Sequence, residues 1–165
     1  YPRWADLLLL RLERAAYRAR DSRALPHSII DGIITEINDG DSVLETASAP
    51  VLVHGNLHLG NLLLRQHTGT WRIAGIVGWD AAFAADAAWE FGVFSFREPE
   101  HAPQGDSFLY GYKERHTLQP DLRSRMRLYR LLYHLESAIT ARTQAPINLD
   151  RRQSHEQLLR RLLHQ

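Results

Sequence analysis

The chain has 165 residues, enough for one compact domain with its own core, and its 44% apolar content argues for folding rather than disorder. Twenty basic residues nearly balance 19 acidic ones, and the arginines sit among acids and leucines in periodic segments. Those faces read as solvated helix surface, which argues against a nucleic-acid partner, and the lack of cysteine excludes disulfides, thiol chemistry and thiolate-bound metals.

Pro2 followed by Trp4, Leu7, Leu8, Leu12 and Ala15 predicts an amphipathic helix to about Ala19. A second helix is expected from Pro26 to Ser28 onward, carrying Ile29, Ile30, Ile33, Ile34 and Ile37. Its isoleucines and Gly32 weaken the assignment, and the i, i+3, i+4 spacing restores it. Asn38-Asp39-Gly40-Asp41 reads as a turn.

Val51-Leu52-Val53 and Leu62 to Arg65 read as short strands, Gln66 to Thr70 as a hairpin turn, and Trp71 to Val77 as the returning strand. Helices are then expected over Asp86 to Phe94, Asp106 to Arg115 and Asp121 to Ala141. Pro146 to Leu149 reads as a linker, and Ser154 as the start of a last helix. The expected fold class is mainly α with a small β-hairpin, all of 1–165 forming one unit without internal repeats.

No apolar run approaches the length that spans a bilayer, and no basic and apolar leader is visible, so a cytoplasmic protein without a membrane partner is expected. The chain opens at Tyr1 rather than Met, which suggests a processed form or a fragment.

The polar motifs cluster on the hairpin. His54-Gly55-Asn56-Leu57-His58-Leu59-Gly60-Asn61 follows the first strand, and Ile76-Val77-Gly78-Trp79 ends the third. Transfer of a phosphoryl group needs a carboxylate within reach of the hydroxyl nucleophile. It also needs hard oxygen ligands, usually an Asn and an Asp, for Mg²⁺ on the nucleotide phosphates. A base in the loop after one strand and a metal acid after the next arrive at the same end of a hairpin.

These segments resemble the motifs of the aminoglycoside phosphotransferase and choline kinase family, a branch of the protein-kinase-like fold. The family pattern is H-G-D-L-H-x-x-N, a hairpin, I-D-W, then G-D-P-x-x-D; this chain reads HGNLHLGN, VGW and AADAAWEFG. The resemblance implies the helical C-terminal, acceptor-binding lobe, without an N-terminal nucleotide lobe. It also implies ATP and Mg²⁺ as the family's cofactors, and a hydroxyl-bearing or cationic small molecule as ligand.

Carried over residue by residue, Asn56 stands at the catalytic base, Asn61 at the first metal ligand and Gly78 at the second. Local sequence alone also allows Asn56 as a loop brace, Asn61 as a hydrogen-bonding partner of the loop, and Gly78 as a turn or bulge glycine. An amide cannot take up a proton, and glycine has no ligand to give. Asp80, two residues on, could restore the metal site only if a bulge turned it toward Asn61. Asp86 matches the structural aspartate, expected to cap its helix, and His54 the structural histidine. Glu90 replaces an Asp, Ala85 and Ala87 replace Gly and Pro, and Leu59 stands where Pro is common.

His58 could face the cleft or solvent. His101, His116, His134, His155 and His164 lack metal-motif spacing. Trp71, Trp79 and Trp89 are expected in or near the core, Trp79 alternatively lining a cleft. Glu98, Glu100, Asp106 and Glu136 are candidate contacts for a cationic ligand.

The expectation is therefore a degenerate, catalytically inactive phosphotransferase-like domain that binds or scaffolds, with no cofactor for this chain alone. Its rivals are a fragment or variant of an active ATP-dependent O-phosphotransferase, and a structural subunit whose uncovered apolar surface recruits a partner or a second copy.

Overall fold

The computed structural model describes residues 3–47, 49–94, 102–144 and 148–164, with 102–106 described by backbone alone. Pro2, Glu98, Glu100, His101, Pro146 and Ile147 therefore lie outside the described residues. The described chain is mostly helical with two small antiparallel sheets. It divides into two compact units, Tyr1–Ala47 with Gln119–Gln165, and Ser48–Leu118.

The first unit is helical. Helix α1 (Trp4–Asp21) buries Trp4, Ala5, Leu8, Leu12, Ala15, Ala16 and Ala19. Its alanines let the facing helix approach closely, and that helix is α6 (Leu122–Thr143). Two polar links fix the pairing. The buried Trp4 Nε1–H donates to Tyr129 Oη at 2.9 Å, and Arg11 grips both carboxylate oxygens of Glu136 at 2.7 and 2.8 Å. Glu136, a candidate ligand contact by sequence, is thus engaged within the helix pair.

Helix α2 (His27–Asp39) buries Ile29, Ile30, Ile33 and Ile37, so packing overrides the strand preference of isoleucine. Gly32 has a packing reason: a Cβ there would lie 3.2 Å from Leu163 Cδ1. Of the segment Asn38 to Asp41 read as a turn, Asn38 and Asp39 close α2, Gly40 makes the turn, and Asp41 opens a further helical turn, α3 (Asp41–Leu44), anchored by buried Leu44.

Helix α7 (Leu149–Leu163) begins five residues before the expected Ser154. Asn148 supplies the reason, since its side chain accepts from Arg151 N at 2.8 Å and caps the first turn. The helix buries His155, Leu159 and Leu162. Arg125 of α6 is fully buried and donates to Thr46 Oγ1 (2.7 Å) and Pro120 O (2.5 Å).

The second unit holds the sheets. Strand β1 (Val51–Val53) pairs antiparallel with β4 (Phe83–Ala85), Val53 opposite Phe83. Strand β4 was not expected; three residues carry too little alternation to reveal it. Strands β2 (Leu62–His67) and β3 (Thr70–Ile76) form the hairpin. Its turn is only Thr68-Gly69, both with positive φ (47° and 78°), tighter than the expected Gln66 to Thr70. Helix α4 (Ala88–Phe94) is wholly buried, and helix α5 (Ala102–Lys113) packs Phe108 and Tyr112 against its Phe91 at 5.2 and 4.8 Å between ring centroids. Among the described residues, no helix is long and apolar enough to cross a membrane.

Candidate active-site loop

The motif loop belongs wholly to the second unit. Strand β1 delivers His54 into the interior, where it is buried. The His54 backbone N–H donates to Glu90 Oε2 at 2.5 Å, and Gly55 N–H donates to the same oxygen at 3.2 Å. A single carboxylate on α4 thereby ties down the entry to the loop. Glu90 is itself buried. The motif resemblance implies only that Glu90 keeps the charge of an Asp; its bracing role needed the fold.

The His54 ring spans to the other half of the motif. Its Nε2 lies 2.9 Å from Val77 O, and because a carbonyl only accepts, Nε2 carries the proton. Nδ1 is then an acceptor, buried with no hydrogen-bond partner among the described residues. The ring also packs against Trp79, 4.8 Å between centroids. His54 is thus a buried strut between the two motif segments.

Asp86 is buried, and its Oδ1 accepts from Ala88 N at 3.2 Å, the geometry of a helix cap on α4. His58 caps a short 3-10 turn over Leu59–Asn61, its Nδ1 accepting from Gly60 N at 3.1 Å. Asn56 is half-buried in the loop between.

Asn61 and Gly78 meet. Asn61 N donates to His58 O at 2.9 Å, and Val77 N donates to Asn61 O at 3.0 Å, so the backbone of Asn61 locks the end of the loop to the end of β3. Gly78 has φ 82° and ψ 42°, the left-handed region that favours glycine. A Cβ on Gly78 would stand 2.6 Å from Asn61 Nδ2. The Asn61 amide therefore fills the space where a side chain at 78 would begin. Its Oδ1 is buried with no hydrogen-bond partner among the described residues.

The chain next makes a 3-10 turn over Trp79–Ala81. Trp79 Nε1–H donates to Ile76 O at 2.9 Å, while the residue stays 45% exposed. Trp71 is 64% exposed on β3, so of the three tryptophans expected in or near the core only Trp89 is buried. The hairpin position of Trp71 and the turn position of Trp79 put both on the surface. Asp80 is exposed on the same turn.

This donor set does not fit Mg²⁺. That ion takes octahedral oxygen ligands, usually with one or two carboxylates. Asn61 offers one amide oxygen, Gly78 offers no side chain, and no group of three or more His, Asp or Glu side chains among the described residues could hold a metal ion. An amide such as that of Asn56 can hydrogen-bond a hydroxyl but cannot take up its proton.

The strand, braced loop, hairpin and glycine-centred turn occur together in one contiguous stretch of chain. The sequence model of the phosphotransferase enzyme family matches residues 2–129, and the chain belongs to that family. No curated protein and no solved structure matches it.

Proposed function

We propose that this chain is a degenerate phosphotransferase-like domain, inactive in phosphoryl transfer as written, that serves in binding or scaffolding. The observation that carries this reading is the Asn61–Gly78 contact. Position 78 lacks a carboxylate, and the neighbouring amide occupies the volume one would need. Asn56 adds a second, independent loss, because general-base catalysis contributes about 10²- to 10⁴-fold and an amide provides none of it. In this reading the domain is the acceptor-binding lobe of a kinase-like fold, and its ligand a hydroxyl-bearing or cationic small molecule that Asn56 orients. Titration calorimetry with Mg·ATP tests it: no Mg-dependent heat is expected, and tight Mg-dependent binding would sink the proposal.

A second reading, a piece or variant of an active ATP-dependent O-phosphotransferase, draws support from the scaffold. Glu90 and His54 hold the loop, and Asp86 caps the adjoining helix, although the two acids are missing. Asn56→Asp combined with Gly78→Asp separates the readings. Magnesium-dependent nucleotide binding or phosphate transfer by the double variant would favour the second.

A further inference from the structure

We propose that His134 and His155 form an acid-operated latch, in which protonation of the pair releases helix α7 from α6. Both histidines belong to the helical unit, not to the unit that carries the motif loop. Few groups fasten α7. Along its 15 residues it buries His155, Leu159 and Leu162. Its last turn is held as well by the Leu162 carbonyl, which accepts from Arg127 Nη2 at 2.9 Å. Over residues 149–156 the single buried residue is His155, so the first half of the helix is docked through this ring.

The geometry of the pair leaves no place for an added proton. The two Nδ1 atoms lie 3.0 Å apart and share one proton between them. His134 Nε2 is buried with no hydrogen-bond partner among the described residues. Protonating His134 therefore either buries an Nε2–H without an acceptor or sets two N–H groups head to head. The surrounding charges do not compensate. Those that reach His134 are His155 on α7 and Arg130 one turn back on α6, and both oppose an imidazolium. Tyr133 meets the ring T-shaped, 5.3 Å between centroids. Arg151 and Arg152, four and three residues before His155, add positive charge on its side of α7, and Asp150 is exposed at the helix start. The acids of the packed helices are engaged with arginines: Glu36 of α2 with Arg127, Asp31 of α2 with Arg20, Glu136 of α6 with Arg11 of α1, and Glu156 of α7 with Arg160. Burial first, then His155 and Arg130, holds the docked His134 pKa at about 3, whereas a solvated imidazole titrates near 6.5. The docked value is the lower one, so docking is favoured in full above about pH 6.5, and the released form gains the proton as pH falls. Opening one helix needs less free energy than unfolding the unit, so α7 yields first.

Amide hydrogen exchange of the full chain, corrected for the intrinsic pH dependence of exchange, reads the latch helix by helix. From about pH 6.5 to about pH 5, uptake of one proton on release should lower the protection of α7 amides about 30-fold. Helix α1, which also packs on α6, should keep its protection over that range. His134→Leu with His155→Leu keeps an apolar contact and removes the titration, so its α7 protection should not change. A loss of α7 protection in acid that persists in this variant overturns the inference. So does wild-type α7 protection that stays constant, or that falls only in step with α1. Should the leucine variant fail to fold by circular dichroism, the wild-type histidines decide, their carbon-bound ring protons followed by NMR. Resonances of His134 and His155 that titrate together with the loss of α7 protection support the latch, and rings that stay neutral through that loss overturn it.

Discussion

Asn61 Nδ2 lies 2.6 Å from the point where a side chain on Gly78 would have to begin. The two positions read from the sequence as candidate metal ligands are therefore in contact, and one fills the space beside the other. Placing Asp at 78 requires the Asn61 side chain to rotate away.

The coupling is measurable. Gly78→Ala should lower stability by about 1–3 kcal/mol, from left-handed backbone strain plus the clash. In an Asn61→Ala background the clash is gone and only the backbone strain remains. A double-mutant cycle from urea unfolding should give a coupling of about 1 kcal/mol. Costs that simply add would mean Asn61 already moves freely. Gly78→Asp should be tolerated better than a β-branched residue, since Asp is among the non-glycine residues that visit this region.

The loop brace makes a second prediction. Glu90 Oε2 accepts from both His54 N and Gly55 N. Removing it by Glu90→Ala strands two N–H donors in a buried site, and should cost about 3–5 kcal/mol. Glu90→Gln keeps an acceptor oxygen and loses only the charge, so about 1–2 kcal/mol is expected. Chemical denaturation of the two variants, compared at a common pH, checks the order. Equal losses would place the effect in the charge rather than in the two hydrogen bonds.

Much of this arrangement was legible in sequence where local patterning and tertiary packing agree. The stripe Trp4, Leu8, Leu12 and Ala15 and the isoleucines of α2 are buried as their spacing indicates. Asp86 could be read as a cap because its side chain acts two residues away. Other features depended on distant partners. Trp71 is exposed on the hairpin beside the equally exposed Leu64 and Ile73, whereas composition alone assigns tryptophan to a core. The start of α7 was misplaced although Asn148 is a good N-cap; the neighbouring Pro146 and Asn148 together read as linker. Glu90 shows its role only once α4 folds back under β1, 36 positions upstream of it in the chain.

Within the helical unit, Tyr129→Phe should cost about 1–2 kcal/mol. The hydroxyl accepts from the buried Trp4 Nε1–H at 2.9 Å across α1 and α6, and phenylalanine keeps the edge-on ring contact while removing that acceptor. Thermal unfolding of Tyr129→Phe beside Tyr129→Leu separates the two contributions. The leucine variant should be the less stable, because it loses the ring as well.

The last prediction concerns pH. His134 on α6 and His155 on α7 are buried with their Nδ1 atoms 3.0 Å apart. One Nδ1–H must donate to the other, so at least one ring is deprotonated at Nδ1, and 21 residues of sequence separation conceal the pairing. Burial first, then the neighbouring His155 and Arg130, pushes the His134 pKa down to about 3. In the unfolded chain the same ring titrates near 6.5. Between those values the unfolded state binds a proton that the folded state refuses. The contribution of His134 to stability is therefore complete above about pH 6.5 and is lost progressively as pH falls toward about 3, with a slope up to about 1.4 kcal/mol per pH unit. Ordinary carboxylates also titrate at the acid end, so the informative quantity is the difference between wild type and His134→Leu. Urea midpoints measured at about pH 7.5, 6 and 5, spanning the ordinary histidine pKa, should fall more steeply for wild type than for the variant. Parallel profiles would show that the pair takes up its proton without opening the α6–α7 contact.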